Sequence, residues 1–401
     1  MGSQISPSLI SCRSPRWRWR SCSRWQAWVR SGGCMCYPRV KRRAAQTGAA
    51  LVVAMLVFAL VAALMVGLQR DFSLMLQRGT HQLFSEQAWS YLMGAEGLAQ
   101  LALRADSRID ARTEQPSDHL GEVWAQPPTP YPLEAGGWMQ GGLEDLQGRI
   151  NLNSLVDAPV SDAANSGAGT DAANPRDDNP AEGEESNDLE RSGERWNITQ
   201  KLLIRLLQAL GEASLPQEEA MALTDAITDF IDRDNDRREQ GAEAGEYRYA
   251  DFPYLPANRL LSSVSELRAV QGMTEPVYRA LAPFVTVWPD VPGRLNILTC
   301  PLPVLRTLNG DSQLSPLPQM EAERIDALRR EGAITGVEDL LNDPALEGQQ
   351  LAALKPLLDV KSDWFLLDAT VELVDRERHL LSVLRRREEQ VVAVFRSEGE
   401  L

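Results

Sequence analysis

AALVVAMLVFALVAALMVGL, residues 49–68, contains no charged and no strongly polar side chain. At a rise of about 1.5 Å per residue, a helix of this length spans roughly 30 Å, the thickness of a bilayer's hydrocarbon core. Arg39, Lys41, Arg42 and Arg43 lie just before it. A basic flank of this kind holds its end of the span in the cytoplasm, so the chain after Leu68 is expected on the far side of the membrane. A signal anchor or secretory signal also joins a basic flank to an apolar core. This run is longer than a typical secretory core, and no small-x-small cleavage site precedes a polar mature start.

The break in character falls ahead of the apolar run, at Thr47-Gly48-Ala49. A basic leader, a glycine and an uninterrupted apolar helix resemble the prepilin-peptidase signal of type IV pilins and type II secretion pseudopilins. That resemblance implies cleavage between Gly48 and Ala49, with the helix kept on the protein. Most members carry glutamate at the fifth mature position; here it is Val53. After Leu68, Phe72, Met75, Leu76, Leu83, Phe84, Ala88, Leu92, Leu98 and Leu101 recur at roughly helical spacing. They predict an amphipathic extension over residues 69–104. A membrane helix continuing into a long amphipathic one is the pilin spine.

Charge is divided sharply along the chain. Residues 1–48 hold ten Lys/Arg and no Asp/Glu, which leaves 31 basic against 56 acidic residues beyond them, a net of −25. Such a surface repels phosphate backbones, suits hard cations, and argues against nucleic acid as the main partner. Cys12, Cys22, Cys34 and Cys36 all precede Gly48, so Cys300 stands alone in the mature part. An exported domain with one cysteine has no intramolecular disulfide framework, and its loops need another form of stabilisation.

The pattern divides the chain into segments. Residues 1–48 are a basic leader, within which 1–34 show no apolar period; translation is expected to start at Met35, with 1–34 dispensable. Residues 49–68 form the transmembrane helix, and 69–156 the spine helix with first strands, read from the Gly-Gly pairs and alternation of 136–155. Residues 157–195 are Ala, Asn, Asp, Gly, Ser and Glu with almost no large apolar side chain, a loop that cannot bury enough surface to fold. Residues 196–360 read as an inserted α-helical domain, with helical segments at 196–210, from Pro216, and at 262–285, 295–308, 318–330, 336–341 and 347–357. Residues 361–401 close the chain with β-rich runs at 364–374, 379–385 and 390–396. Strands, helices, then strands again describe an α+β fold with a helical domain inserted into a β-sheet domain.

The strongest local motif is Asp232-Arg-Asp234-Asn-Asp236 with Glu243 downstream. Counted from Asp232, these carboxylates occupy positions 1, 3, 5 and 12 of a calcium loop. A large hard cation needs several oxygens there on a flexible backbone. Position 6 should be glycine and is Arg237, which speaks against a true EF-hand and leaves a calcium site of other geometry. Asp251 and Asn258 offer further oxygens, and the bland alternative is a solvated acidic loop. Residues 262–283, 295–308 and 336–341 resemble helix-hairpin-helix units, which can hold a DNA phosphate on backbone amides beside a glycine such as Gly272. No basic cluster accompanies them, so a structural hairpin is favoured. His81, His119 and His379 lie in separate segments, and there is no G-x-S-x-G, P-loop or G-x-G-x-x-G. Nothing marks an enzyme.

Four features together resemble the K component of the type II secretion minor pseudopilins. They are Gly48 with an apolar helix lacking the fifth-position glutamate; LEDLQGRINLNSL; ITDFIDRDNDRREQGAE…YRYADFPYLPANRLLSSVSELRAVQGM; and LNILTCPLPVLRTL. The resemblance runs from about residue 40 to the C-terminus, with the leader and the polar loop as departures. It implies a pseudopilin fold with a large helical insertion that binds calcium, with Asp232, Asp234, Asp236, Glu243, Asp251 and Asn258 as candidate ligands. It also implies a non-enzymatic subunit of the bacterial inner membrane, N-terminus cytoplasmic and bulk periplasmic. Such a subunit is processed by prepilin peptidase, sits at the tip of the pseudopilus with the I and J minor pseudopilins and other pseudopilus subunits, and has the inner-membrane secretion platform as a further partner. In lipid a charged N-terminal amine is costly unless paired. In the pilin pattern the fifth-position carboxylate pairs with the amine of the subunit above, so a tip subunit loses nothing with Val53. The alternatives are a membrane-anchored helix-hairpin-helix protein of DNA uptake and a type IV minor pilin.

Overall fold

A computed structural model describes residues 47–134, 136–156, 195–249, 253–289 and 293–399. The expectations for the leader before Thr47, for nearly all of 157–195 and for Asp251 fall outside these residues. Residues to Ser73 and the chain from Leu74 form two separate units.

The long helix α1 runs from Thr47 to Asp110. Between Ala49 and Ser73 its side chains are exposed on every side, including Leu51, Leu56, Phe58 and Leu64. With a mean hydropathy of 3.0 in its most apolar window, it is long and apolar enough to cross a membrane. A helix that is apolar all round requires an apolar surround, and a bilayer supplies one.

In the second unit α1 is followed by the strands β1 (Tyr131–Pro132), β2 (Trp138–Asp145) and β3 (Ile150–Asn151). Four helices come next: α2 (Ile198–Leu207), α3 (Gln217–Ile231), α4 (Ala244–Arg248) and α5 (Glu275–Leu281). The short strands β4 (Val285–Thr286) and β5 (Leu295–Asn296) precede α6 (Leu302–Leu305), α7 (Gln319–Arg330) and α8 (Val337–Leu341). The chain closes with β6 (Leu358–Asp359), β7 (Trp364–Leu373), β8 (Arg376–Arg387) and β9 (Gln390–Ser397).

Five strands make one antiparallel sheet in the order β1-β2-β7-β8-β9. The helical domain departs after Asp145 and returns before Trp364, and because β2 pairs with β7 these ends adjoin, Asp145 opposite Phe365. This is the α+β fold with an inserted helical domain. Ala88, Leu92, Ala95, Ala99 and Leu103 recur every three or four residues on α1 and bury one stripe against Phe365, Leu367, Ala369, Val371, Leu380 and Leu384. Three alanines in that stripe let helix and sheet approach closely. The opposite face buries Leu146, Trp364, Leu366 and Val383, with Trp288 from the insertion stacked on Trp364 at 5.7 Å.

The insertion has its own core. α2 starts with a reciprocal cap between Asn197 and Gln200, and its side chains from Thr199 to Leu207 are all buried. It is therefore the central helix of the domain rather than an amphipathic surface one. Arg205 within it is fully buried and donates to the carbonyls of Thr307, Asn309, Gly310 and Gln313.

Three helical expectations are corrected. Residues 295–308 hold β5 and only a four-residue helix, because Pro301 and Pro303 confine helix to the turn they can begin. Residues 347–357 contain only a 3₁₀ turn at Lys355–Leu357, since Gly348 takes a left-handed φ of 77° and Pro356 removes a donor. Residues 262–285 divide into a 3₁₀ segment, Val264–Ala269, and α5, broken at Gly272 (φ 84°).

Candidate metal centre

The first half of α3 follows helix logic: Pro216 precedes it, and Glu218 and Glu219 sit in the first turn, where the dipole favours anions. Its last turn breaks that logic. Asp229 is fully buried there, and Asp232 caps the C-terminus, where the dipole disfavours negative charge. The chain then turns through Arg233–Arg238 and returns at Gly241 to Glu243, the N-cap of α4.

This return brings Asp229, Asp232 and Glu243 together, one carboxylate oxygen of each lying within 4.8 Å of the others. Asn258 projects its amide toward the same region. Its N–H donates to the Phe230 carbonyl at 3.0 Å, its Nδ2 to the Asp234 carbonyl at 3.0 Å, and its backbone is left-handed at φ 43°. Asp229 Oδ1, Asp232 Oδ1 and Asn258 Oδ1 are buried and receive no hydrogen bond, and both Glu243 carboxylate oxygens are buried with no donor beyond the backbone N–H groups that open α4. Arg238 Nε lies 3.4 Å from Asp229 Oδ1 without the alignment of a hydrogen bond, while the Arg238 N–H donates to Asp229 Oδ2 at 3.1 Å. Gly241 is required by this approach: a Cβ there would stand 1.9 Å from Asp229 Oδ2.

A buried acceptor left without a donor costs about 1–3 kcal/mol, and native interiors hold few of them. Burial is the main reason that the Asp229 and Asp232 carboxyls are pushed up to about 7; Asp234 and Asp229 add like charge at Asp232, and Glu243 and Asp225 at Asp229. Glu243 is raised as well, by burial first and then by Asp234 and Glu246. Three such carboxylates cannot all stay charged on the help of Arg238 alone. Carboxylate and amide oxygens with no sulfur or imidazole among them form a donor set for a hard cation, so calcium chemistry fits the residues present.

Of the sequence-predicted residues, Asp232 and Glu243 belong to this group, and Asn258 is tied beside it through the Phe230 and Asp234 carbonyls. Asp234 and Asp236 are exposed and stand outside the group, Asp234 accepting the Asp236 N–H at 2.9 Å in a local turn. Asp251 lies outside the described residues. Asp229 was missed because the helical stripe was traced through apolar positions; a carboxylate between Ile227 and Phe230, on a helix about to end, was the available signal.

A second acidic group, Asp106, Asp110 and Asp118, is of another kind. Arg386 fills it, pairing with Asp106 at 2.8 Å and with both oxygens of Asp118. At the hairpin around Gly272, Arg268 and Arg279 both pair with Glu275.

Type II secretion system protein K of Pseudomonas aeruginosa is 33% identical over 357 residues, covering 88% of this chain and 92% of that protein. The chain belongs to the type II secretion system protein K family. It is thus a minor pseudopilin of type II secretion, a structural component of that machine. The family profile described as "Type II secretion system (T2SS), protein K" matches residues 148–290, which include the whole acidic cluster. Protein K of Pectobacterium carotovorum is 27% identical, with 89% of this chain and 98% of that one covered. Among solved structures, a chain of the GspK-GspI-GspJ complex from enterotoxigenic Escherichia coli superposes with a TM-score of 0.59 at 25% identity, covering 81% of this chain and all of that one.

Proposed function

We propose that this protein K forms the tip of the pseudopilus together with I and J minor pseudopilins, and that its helical insertion is held in shape by calcium. The likeness to a chain of the GspK-GspI-GspJ complex carries the assembly reading. The bulk of the insertion suits a terminal position, since it would obstruct a further subunit stacked above, and Val53 suits a subunit with no amine above it to neutralise. In this reading prepilin peptidase cuts between Gly48 and Ala49, the apolar part of α1 anchors the chain in the inner membrane, and the rest lies in the periplasm. From the tip, the subunit initiates or caps a pseudopilus that exports folded proteins across the outer membrane.

Calcium supplies positive charge and oxygen coordination when bound; the protein's own residues set where. Asp229 and Asp232 fix the end of α3, Glu243 fixes the start of α4, and Asn258 ties the segment after α4 back to the end of α3. Binding there joins segments that no disulfide joins, Cys300 being buried and free. The test of assembly is to mix full-length processed chain in detergent with the I and J minor pseudopilins of the same system and to measure mass by light scattering. A stable complex containing one copy of each is expected; failure of the three to associate would overturn the tip assignment.

A further inference from the structure

The two acidic groups differ in how a guanidinium meets them. Arg386 is buried among Asp106, Asp110 and Asp118, and both of its terminal nitrogens are bonded: Nη1 to Asp106 at 2.8 Å, Nη2 to both oxygens of Asp118 and to the Ser362 carbonyl at 2.7 Å. A guanidinium seated in this way is a permanent part of the structure.

Arg238 meets Asp229, Asp232 and Glu243 only from the edge. Its Nε is buried without a hydrogen bond, 3.4 Å from Asp229 Oδ1, while the side chain as a whole stays 28% exposed. Its backbone is anchored separately, the N–H donating to Asp229 Oδ2 at 3.1 Å. The neighbouring arginines are committed elsewhere. Arg195 pairs with Asp225 and Glu239, and Arg237 with Glu246 at 3.1 Å and the Gly241 carbonyl at 2.9 Å. The charge of Arg238 therefore acts on Asp229 and Asp232, yet leaves Asp229 Oδ1 and Asp232 Oδ1 without a donor.

We propose that Arg238 is the resident counter-cation of this group, standing in for the metal when calcium is absent and giving way to it when calcium binds, so that its charge sets the calcium affinity. The inference rests on the calcium reading above. Asp229 Oδ1 faces Arg238 and is also one of the unfilled acceptors, so a metal and the guanidinium compete for it and repel each other. No hydrogen bond holds Nε in place, and the exposed part of the side chain gives it water to move into. The anchored N–H keeps the loop in position while the side chain moves. Without Arg238 the empty carboxylates repel one another with less relief, and the filled group no longer faces a like charge; both changes tighten calcium binding.

The test is calorimetric titration of the full chain in detergent with calcium, at a pH of about 8, where the Asp229 and Asp232 carboxyls, raised to about 7, are largely ionised. Arg238→Gln should bind calcium about ten-fold more tightly than the parent, and Arg238→Lys, which keeps the charge, should stay close to it. In thermal melts Arg238→Gln should fall below the parent in chelator and draw level in excess calcium, whereas a merely structural side chain would lower both melts equally. Calcium bound no more tightly by Arg238→Gln than by the parent, or tightened as much by Arg238→Lys, would overturn the role of Arg238 and leave the calcium centre standing. A parent chain that takes up no calcium would overturn the centre itself and this inference with it.

Discussion

Asp229→Asn should stabilise the protein in chelator and shrink the stabilisation that calcium gives. The side chain is fully buried, and its carboxyl rises from 3.8 to about 7 in the folded chain. At about 1.4 kcal/mol per pH unit, keeping it charged at a pH near 8 without a cation costs on the order of 4 kcal/mol. The asparagine amide is neutral, and its oxygen can still accept the Arg238 N–H, so most of that cost is expected to vanish. In calcium the gap narrows, and it closes only near a thousand-fold excess: a ligand bound only by the folded state adds about 2.7 kcal/mol at a hundred-fold excess over its Kd and about 4.1 at a thousand-fold, and the variant gives up one charged oxygen of the group. The assay is thermal unfolding of the full chain in detergent, with chelator or calcium, near pH 8 and near pH 5.5. Because the folded pKa is raised, the calcium-free chain is more stable on the acid side and loses that stability as pH climbs through about 7. Calcium competes with those protons, so its stabilising shift should be largest near pH 8 and fade toward pH 5.5. An Asp229→Asn chain that melts lower than the parent in chelator near pH 8, or that keeps the full calcium shift, would refute the reasoning.

Gly241→Ala places a methyl against Asp229 Oδ2, so it should keep the fold but cut the calcium shift in the same melts. Arg205→Met strands the carbonyls of Thr307, Gly310 and Gln313 and should cost about 3–5 kcal/mol in denaturant titration, whether or not calcium is present. Gly48→Ala is expected to block leader removal, seen as a larger species on a gel, whereas Val53→Glu should leave membrane insertion intact; equal amounts of processed and unprocessed Gly48→Ala chain would count against the processing site.

The closing strands were legible because they are rich in Val and Leu, and the spine because helical spacing runs on past Leu68. Its buried face was half legible: Ala88 and Leu92 are in the core, whereas Leu98 and Leu101 are exposed and Ala95, Ala99 and Leu103 take the inward positions. The segment from 295 to 308 misled because its leucines have helical spacing while Pro301 and Pro303 prevent a helix from using it. The acidic cluster was half legible. Asp232 and Glu243 could be found by counting along a loop, but spacing cannot tell which carboxylates face inward, and Asp234 and Asp236 face water. Asp229 belongs to the site through the return of the chain at Gly241, a tertiary event. The contacts of Asp145 were wholly invisible, for Asn296, Thr299 and Ser362 lie 151, 154 and 217 residues along the chain from it.

The adjoining ends of the insertion bear on the order of events during folding. Until the insertion is built, β2 and β7 are the ends of a flexible tether of roughly 200 residues, whose closure costs on the order of 5 kcal/mol. Once it is built, its exit at Asp145 and its return at Trp364 already stand side by side, and the ladder between β2 and β7 closes as a local hairpin would. The sheet's slowest pairing is thereby made to wait on the helical domain, and the β2–β7 ladder is expected to close last.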